Sequence, residues 1–328
     1  MIMEEKEFNL EDLHVEKELK IIYMGTPEFS ATVLKGLLEH YPIRAVITQP
    51  DRVNGRGGKV TYSPVKQVAL EHTLLVLQPE KVRDITEQVL EFEPDLIITC
   101  AYGQILPKGL LLAPRLGCIN VHASLLPRLR GGAPIQRAIM NGYTKTGITI
   151  MYMNEKMDEG DMISQKEIEI TDTDTADTLH DKLSILGRDL LLETLPSILD
   201  GTNPRIPQNH EEATYGYVID RNDEHLNFNH SKRQIYNQVR GLNSHPGAYC
   251  KLDGEIIKVW ECYVTDQVYP QLLNGQVTKI YKDGIGVKVN NGEIVLKTIQ
   301  PSGKKRMNAS DFARGYMNKG NLIGKMLS

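Results

Sequence analysis

Between Ile21 and about Ile170 the chain alternates short apolar runs with amphipathic stretches of helical period, and that order restricts the fold more than any other feature. Ile21-Ile22-Tyr23-Met24 reads as a strand broken by Gly25. Thr26 then offers a helix cap, with Pro27 at the first helical position and Glu28 in the first turn. Phe29, Val33 and Leu37 recur every four residues and form the buried stripe of that helix. Ile43 to Thr48 and Leu74 to Leu77 are further strands; a helix follows with Val82, Ile85, Val89 and Phe92 on one face. Pro94 stops it before the strand Leu96-Ile97-Ile98, and Pro134 opens another helix that ends at Asn141-Gly142. Strands separated by helices of this length predict an α/β fold with a doubly wound, mostly parallel sheet. The first strand–helix turn holds one glycine where a dinucleotide site needs Gly-x-Gly-x-x-Gly. No Gly-x-x-x-x-Gly-Lys-Ser/Thr loop occurs either, so nicotinamide and nucleotide triphosphate chemistry are not expected.

A chain of 328 residues, 41% of them apolar, can fill two cores. A helix near 176–199 carries Leu179, Leu183, Leu186 and Leu190 on one stripe, and Gly201 to Pro207 then reads as a linker. Past it, Ile235, Val239 and Leu242 mark a short helix, and Asp253-Gly254, Asp283-Gly284 and Asn291-Gly292 are hairpin turns. Closely spaced hairpins suggest a small β-barrel, of which the oligonucleotide-binding (OB) barrel is one type. The expected division is an extension over 1–19, an α/β domain over 20–200, a linker over 201–209 and an OB-like barrel over 210–328. Residues 210–328 hold 16 Lys/Arg against 12 Asp/Glu, a net of +4 in a chain of net −4, which leaves −8 for residues 1–209. A mildly basic tail behind an acidic domain suits a polyanionic partner.

Residues 1–20 lack an apolar stretch and a small-residue cleavage site, so no signal peptide is expected. No apolar run approaches the roughly 20 residues of a membrane span. Cys100, Cys118, Cys250 and Cys262 show no metal-ligand spacing, which favours free thiols, no metal, and a reducing cytoplasm.

The apolar run Gly117-Cys118-Ile119 turns polar at Asn120-Val121-His122 and continues Ala123-Ser124-Leu125-Leu126-Pro127-Arg128-Leu129-Arg130-Gly131-Gly132. Alternation along a strand projects Asn120 and His122 to one side. The carboxyl end of a strand in an open α/β sheet is where ligands bind. An isolated Asn-x-His is also compatible with a turn cap beside a packed histidine. The flanking sequence decides differently. Asn-x-His followed by Ser-Leu-Leu-Pro closely resembles the signature of the folate-dependent formyltransferases, and Met157-Asp158-Glu159-Gly160-Asp161 resembles the segment holding their catalytic aspartate. Met24-Gly25-Thr26-Pro27-Glu28-Phe29 resembles the opening of the members that act on methionyl-tRNA.

The resemblance covers nearly all of 20–328 and implies 10-formyltetrahydrofolate as formyl donor and initiator methionyl-tRNA as acceptor, handled by a monomer. It implies Asn120, His122 and Asp161 as the catalytic set. Ser124, Leu125, Leu126 and Pro127 are then expected at the folate, and Gln104, Ile105 and Leu106 at its pterin. Arg52, Arg56 and Lys59 lie in a glycine-rich stretch from Gln49 to Ser63, long for a connection inside a compact domain. It resembles the insertion with which tRNA-reading members meet the acceptor end, with Arg56 as its central arginine. Lys304, Lys305 and Arg306 form the densest basic cluster of the tail, either a tRNA contact or a solvated hairpin end.

Formyl transfer to an amine builds negative charge on oxygen, which calls for preorganised donors. The Asn120 amide and His122 imidazole are suited to supply them, with a carboxylate at Asp161 orienting the imidazole and relaying the amine proton through water. Amino-sugar formylation with the same donor, and a catalytically silent RNA-binding module, are the alternatives; the Arg56 loop argues against the first and the intact triad against the second.

Overall fold

The computed structural model describes residues 18–54, 59–316 and 320–328. The first part runs β1 (Ile21–Gly25), α1 (Glu28–Leu38), β2 (Ile43–Ile47), β3 (Arg52–Asn54), β4 (Lys59–Thr61), α2 (Pro64–Glu71) and β5 (Val76–Leu77). It continues with α3 (Thr86–Leu90), β6 (Leu96–Cys100), α4 (Lys108–Leu112), β7 (Cys118–His122), α5 (Pro134–Met140), β8 (Lys145–Tyr152), β9 (Met162–Glu169) and α6 (Ala176–Leu199). Seven strands form one sheet in the order β5-β2-β1-β6-β7-β8-β9. Pairing is parallel from β5 through β7, while β8 and β9 are antiparallel.

Burial explains the continuous apolar strands. β1 and β6 are buried along their whole length because helices cover both faces. Ile21, Tyr23, Ile98, Ile119 and Val121 pack with Leu34 and Leu37 of α1 and Leu183 and Leu191 of α6. Ile22, Met24, Ile97 and Cys118 pack on the opposite face with Val82, Val89 and Leu110. In β7 the two apolar residues that alternate with Asn120 and His122 thus point into the α1/α6 layer.

Local details differ from the sequence expectation. Thr26 does not cap α1; its Oγ1 accepts from the Gln49 N–H at 3.3 Å, tying the first turn to the end of β2. The helix expected from Val82 to Phe92 divides into a 3₁₀ turn, Val82–Ile85, and α3. The Val82 N–H is captured by Gln104 Oε1 at 2.7 Å, so the next loop fixes that start. The expected loop between Gln49 and Ser63 contains a small hairpin, β3 against β4, off the main sheet. Arg52 pairs with Thr61 at its open end and Lys59 with Asn54 at its turn end; Arg56 lies outside the described residues.

The second part runs α7 (Arg221–Glu224), α8 (Lys232–Gly241), β10 (Ala248–Leu252), β11 (Glu255–Thr265), β12 (Val277–Ile280), β13 (Ile285–Val289), β14 (Gly292–Pro301), β15 (Met307–Asn308) and α9 (Ala309–Tyr316). Its antiparallel sheet has the order β10-β11-β14-β13-β12, with β15 on β14, and all three hairpin turns fall where the sequence places them. The chain end bridges the two edges. Ser328 exchanges backbone hydrogen bonds with Lys251 of β10, and Gly275 and Val277 bond with Gly324, Lys325 and Leu327. This turns an open sheet into a small barrel around Val259, Val287, Ile294 and Leu296.

The stretch read as a linker is pinned rather than free. Ile206 pairs with Met162, and Arg130 pairs with the backbone of Thr214 and Gly216, so the chain stays on the α/β part through Gly216.

Candidate active site

Asn120 and His122 stand on one face of β7 at the carboxyl end of the parallel strands. The Thr99 hydroxyl on β6 lies 2.9 Å from Asn120 Oδ1 and donates to it, which leaves the Asn120 amide hydrogens for a ligand. His122 is 5% exposed, and its Nε2 lies 3.1 Å from the Leu129 carbonyl. A carbonyl only accepts, so Nε2 carries the proton. Nδ1 then faces the Asp158 carboxylate, with Oδ2 at 3.7 Å. At that separation Nδ1 makes no hydrogen bond among the described residues, so it is the ring nitrogen left open to a substrate.

The carboxylate beside the imidazole is therefore Asp158 and not Asp161. Asp161 contributes its backbone carbonyl to Tyr152 N–H, and its side chain makes no hydrogen bond or ion pair among the described residues. The run Met157–Asp161 offers two aspartates three residues apart, and strand periodicity does not extend into a turn, so the choice was invisible in one dimension. Backbone geometry makes it. Asp158 adopts φ +53°, in the left-handed region, and its Oδ2 accepts from the Gly131 N–H at 2.8 Å. A Cβ at Gly160 would fall 1.8 Å from the Tyr152 carbonyl, so only glycine lets the turn close there. Leu129 (φ +56°) and Ala101 (φ +47°) share this unusual conformation, so three such residues gather around the ends of β6 and β7.

A buried polar cluster holds the Asp158 turn. Gln208 donates to the carbonyls of Asp158 and Gly160, both at 2.8 Å, and accepts from Arg130 Nε and Nη2 at 3.1 and 2.8 Å. Arg130 is 1% exposed and its Nη1 also faces Glu159 at 3.4 Å. Sequence reasoning missed Thr99, Arg130 and Gln208, since a lone glutamine in a Pro/Asn-rich stretch carries no signal.

The other expected residues divide. Ser124 Oγ donates to the Arg128 carbonyl at 2.6 Å and closes the loop, while its own carbonyl accepts from Thr149. Leu126 is buried; its carbonyl accepts from Gln165, and that of Pro127 accepts from Thr214 N–H. Leu125 lines a cavity of about 340 Å³ with Ser124, Arg128, Tyr143, Lys145 and Glu167, a space whose walls exclude Asn120, His122 and Asp158. Gln104 is occupied by Val82 and Glu80, and Leu106 is buried in the core, so only Ile105, 75% exposed, offers a free apolar surface. Lys304 and Lys305 lie exposed at the turn after β14 and form no ion pair among the described residues, whereas Arg306 stacks on Trp260 at 3.6 Å.

The chemistry open to this cluster is polar and not nucleophilic. Burial pushes the thiols of Cys100 and Cys118, on the two neighbouring strands, up to about 12, so neither is a thiolate at neutral pH. All four cysteines are free, and no group of three or more potential metal ligands occurs among the described residues.

The family model described as "Formyl transferase" matches residues 19–195, and that described as "Formyl transferase, C-terminal domain" matches 218–317. A methionyl-tRNA formyltransferase from Geobacillus is 51% identical over 304 residues, 90% of this chain and 94% of the relative. That of Bacillus subtilis is 49% identical and covers 93% of this chain and 98% of its own. The chain belongs to the methionyl-tRNA formyltransferase family. Solved structures of similar fold include an N-formyltransferase from Helicobacter canadensis, bound to folinic acid and dTDP-3-aminofucose, at TM-score 0.66 and 19% identity over 85% of this chain and 99% of that one. Another is HypX from Aquifex aeolicus bound to tetrahydrofolic acid, at TM-score 0.64 and 16% identity over 93% of this chain and 48% of that one. At such identities these two report the formyltransferase fold alone. The two matches leave residues 196–217 between them.

Proposed function

We propose that the protein transfers the formyl group of 10-formyltetrahydrofolate to the α-amino group of methionine on initiator tRNA, acting as a cytoplasmic monomer. The observation that carries this reading is the Asn120–His122–Asp158 cluster at the carboxyl edge of the sheet, in a chain about half identical to methionyl-tRNA formyltransferases over nine-tenths of its length. All four cysteines are free, and no helix among the described residues is long and apolar enough to cross a membrane.

The donor set fits a folate formyl carrier. Ile105 offers exposed apolar surface beside the turn that follows β6, and the polar cluster lies at the end of the adjacent strand. The donor supplies an activated formyl carbonyl that the substrate amine attacks directly; the bond from that carbon to the folate nitrogen then breaks, and tetrahydrofolate leaves with a proton on that nitrogen. The Asn120 amide meets the negative charge that develops on oxygen, and an Nδ1–H on His122 adds a second donor there; losing one such donor typically costs roughly 10²–10³ in rate. Asp158 orients the imidazole and takes the amine proton through a water. Arg52 and Lys59 of the hairpin arm, Arg56 of the sequence between them, and Lys304 and Lys305 on the barrel are assigned to tRNA phosphate.

The test is acceptor choice. Purified protein is given the folate donor with charged initiator tRNA in one tube and an amino-sugar nucleotide in another. Formylation of the methionyl-tRNA alone supports the reading; formylation of the sugar alone replaces it, and activity on neither leaves an RNA-binding role.

A further inference from the structure

Tyr215 and Tyr217 form an exposed aromatic pair within the segment that braces the catalytic loop. Their rings stack with centroids 5.6 Å apart and planes 12° from parallel, although they are 45% and 68% exposed. Spacing of two residues in extended chain puts both on one side, while the space of a Gly216 Cβ would abut Pro134 on the other. The backbone under them is fixed. Gly216 N–H donates to the Arg130 carbonyl at 2.7 Å, and Gly216 C=O accepts from Ala133. The Tyr217 carbonyl accepts from Arg137 Nε at 3.0 Å, with Arg137 held in turn by both carboxylate oxygens of Asp223. The same strand segment reaches the chemistry through one residue, since Gly131 next to Arg130 donates to Asp158. Met157 (59% exposed) and Val218 (71% exposed) approach Gly131 and Gly132, so the pair lies in a rim of solvent-facing apolar side chains. A folded domain has no stability reason to leave two rigid stacked rings in water, and such a rim marks a binding surface.

We infer that Tyr215 and Tyr217 are the stacking platform for the terminal nucleobase of the acceptor strand. This rests on the formyl-transfer reading above. In an aminoacylated acceptor the reactive amine and the last base share one ribose and stand only some seven bonds, under about 10 Å, apart. An amine delivered to Asn120 and His122 therefore carries its base to the immediate rim of the site. Base–aromatic stacking is tolerant of sequence and suits a single-stranded end. No phenolic proton is needed, so Phe serves in place of Tyr.

The experiment uses the full-length enzyme and methionyl-tRNA. Tyr217→Ala and Tyr215→Ala are expected to raise the KM for methionyl-tRNA by roughly 5- to 150-fold, the range of one to three kcal/mol per stacked base, with kcat and the KM for the folate donor near wild type. Tyr217→Phe and Tyr215→Phe restore the tRNA KM. Independently of any variant, a tRNA with 2-aminopurine as its last base loses fluorescence on binding the wild-type protein. Unchanged fluorescence, or an unchanged tRNA KM in both alanine variants, overturns the platform while methionyl-tRNA formylation persists. A wild-type enzyme that formylates no methionyl-tRNA overturns the parent reading and the platform with it.

Discussion

Asp158→Asn isolates the contribution of one charge to the cluster. The substitution keeps an acceptor for the Gly131 N–H and the volume of the side chain, but removes the negative charge 3.7 Å from His122 Nδ1. At an effective dielectric of about 20, two unit charges at that separation interact by about 4.5 kcal/mol, which is a ceiling. The Asp158 side chain is 16% exposed, so water screens part of this, and a loss of about 2–3 kcal/mol of electrostatic support for the transition state is expected. That corresponds to roughly a 30- to 150-fold fall in the chemical step. Single-turnover formylation with donor and methionyl-tRNA saturating reads that step without contributions from binding or release. Asp161→Asn is the matched control, since its carboxylate makes no contact with His122; it should remain within about twofold, as an uninvolved polar substitution does. A crippled Asp161→Asn beside a near-normal Asp158→Asn would refute the geometric assignment and restore the aspartate expected from the sequence.

Gln208→Ala should destabilise the fold by about 2 kcal/mol, because it leaves the Arg130 guanidinium and two turn carbonyls short of partners in a buried site; thermal unfolding that matches wild type would contradict this. Burial opposes ionisation of Asp174, yet hydrogen bonds from Lys182, Thr171 and Thr178 outweigh it and hold the carboxyl down at about 2. A depressed folded pKa contributes stability that is present above the ordinary carboxylate value and lost as pH falls through the folded one. The gap between wild type and Asp174→Asn, about 2 kcal/mol, should therefore be constant at neutral pH and shrink between about pH 4 and 2, as urea unfolding at each pH would show. For the barrel, Lys304→Ala with Lys305→Ala should reduce the log–log salt slope of tRNA binding by about two; an unaltered slope makes them solvated ends.

Much of the architecture was legible in one dimension because it rests on periodicity. Buried strands with apolar residues at every position, helices with four-residue stripes and three Asp-Gly or Asn-Gly turns each specify local geometry without help from distant residues. The placement of Asn120 and His122 on one face of β7 has the same origin, a two-residue period inside a strand. Tertiary structure decided what periodicity does not encode. The choice of Asp158 over Asp161 depends on a turn whose path is set by Gly160 packing against Tyr152 and by Gln208 arriving from 48–50 residues away. The tie of residues 206–216 to the catalytic loop, and closure of the barrel by the chain end, are backbone pairings, in which every non-proline residue offers the same donor and acceptor. Side-chain pattern records which face of an element is buried. It does not record which backbone pairs with which across the chain, and in this protein that pairing positions the carboxylate beside the imidazole.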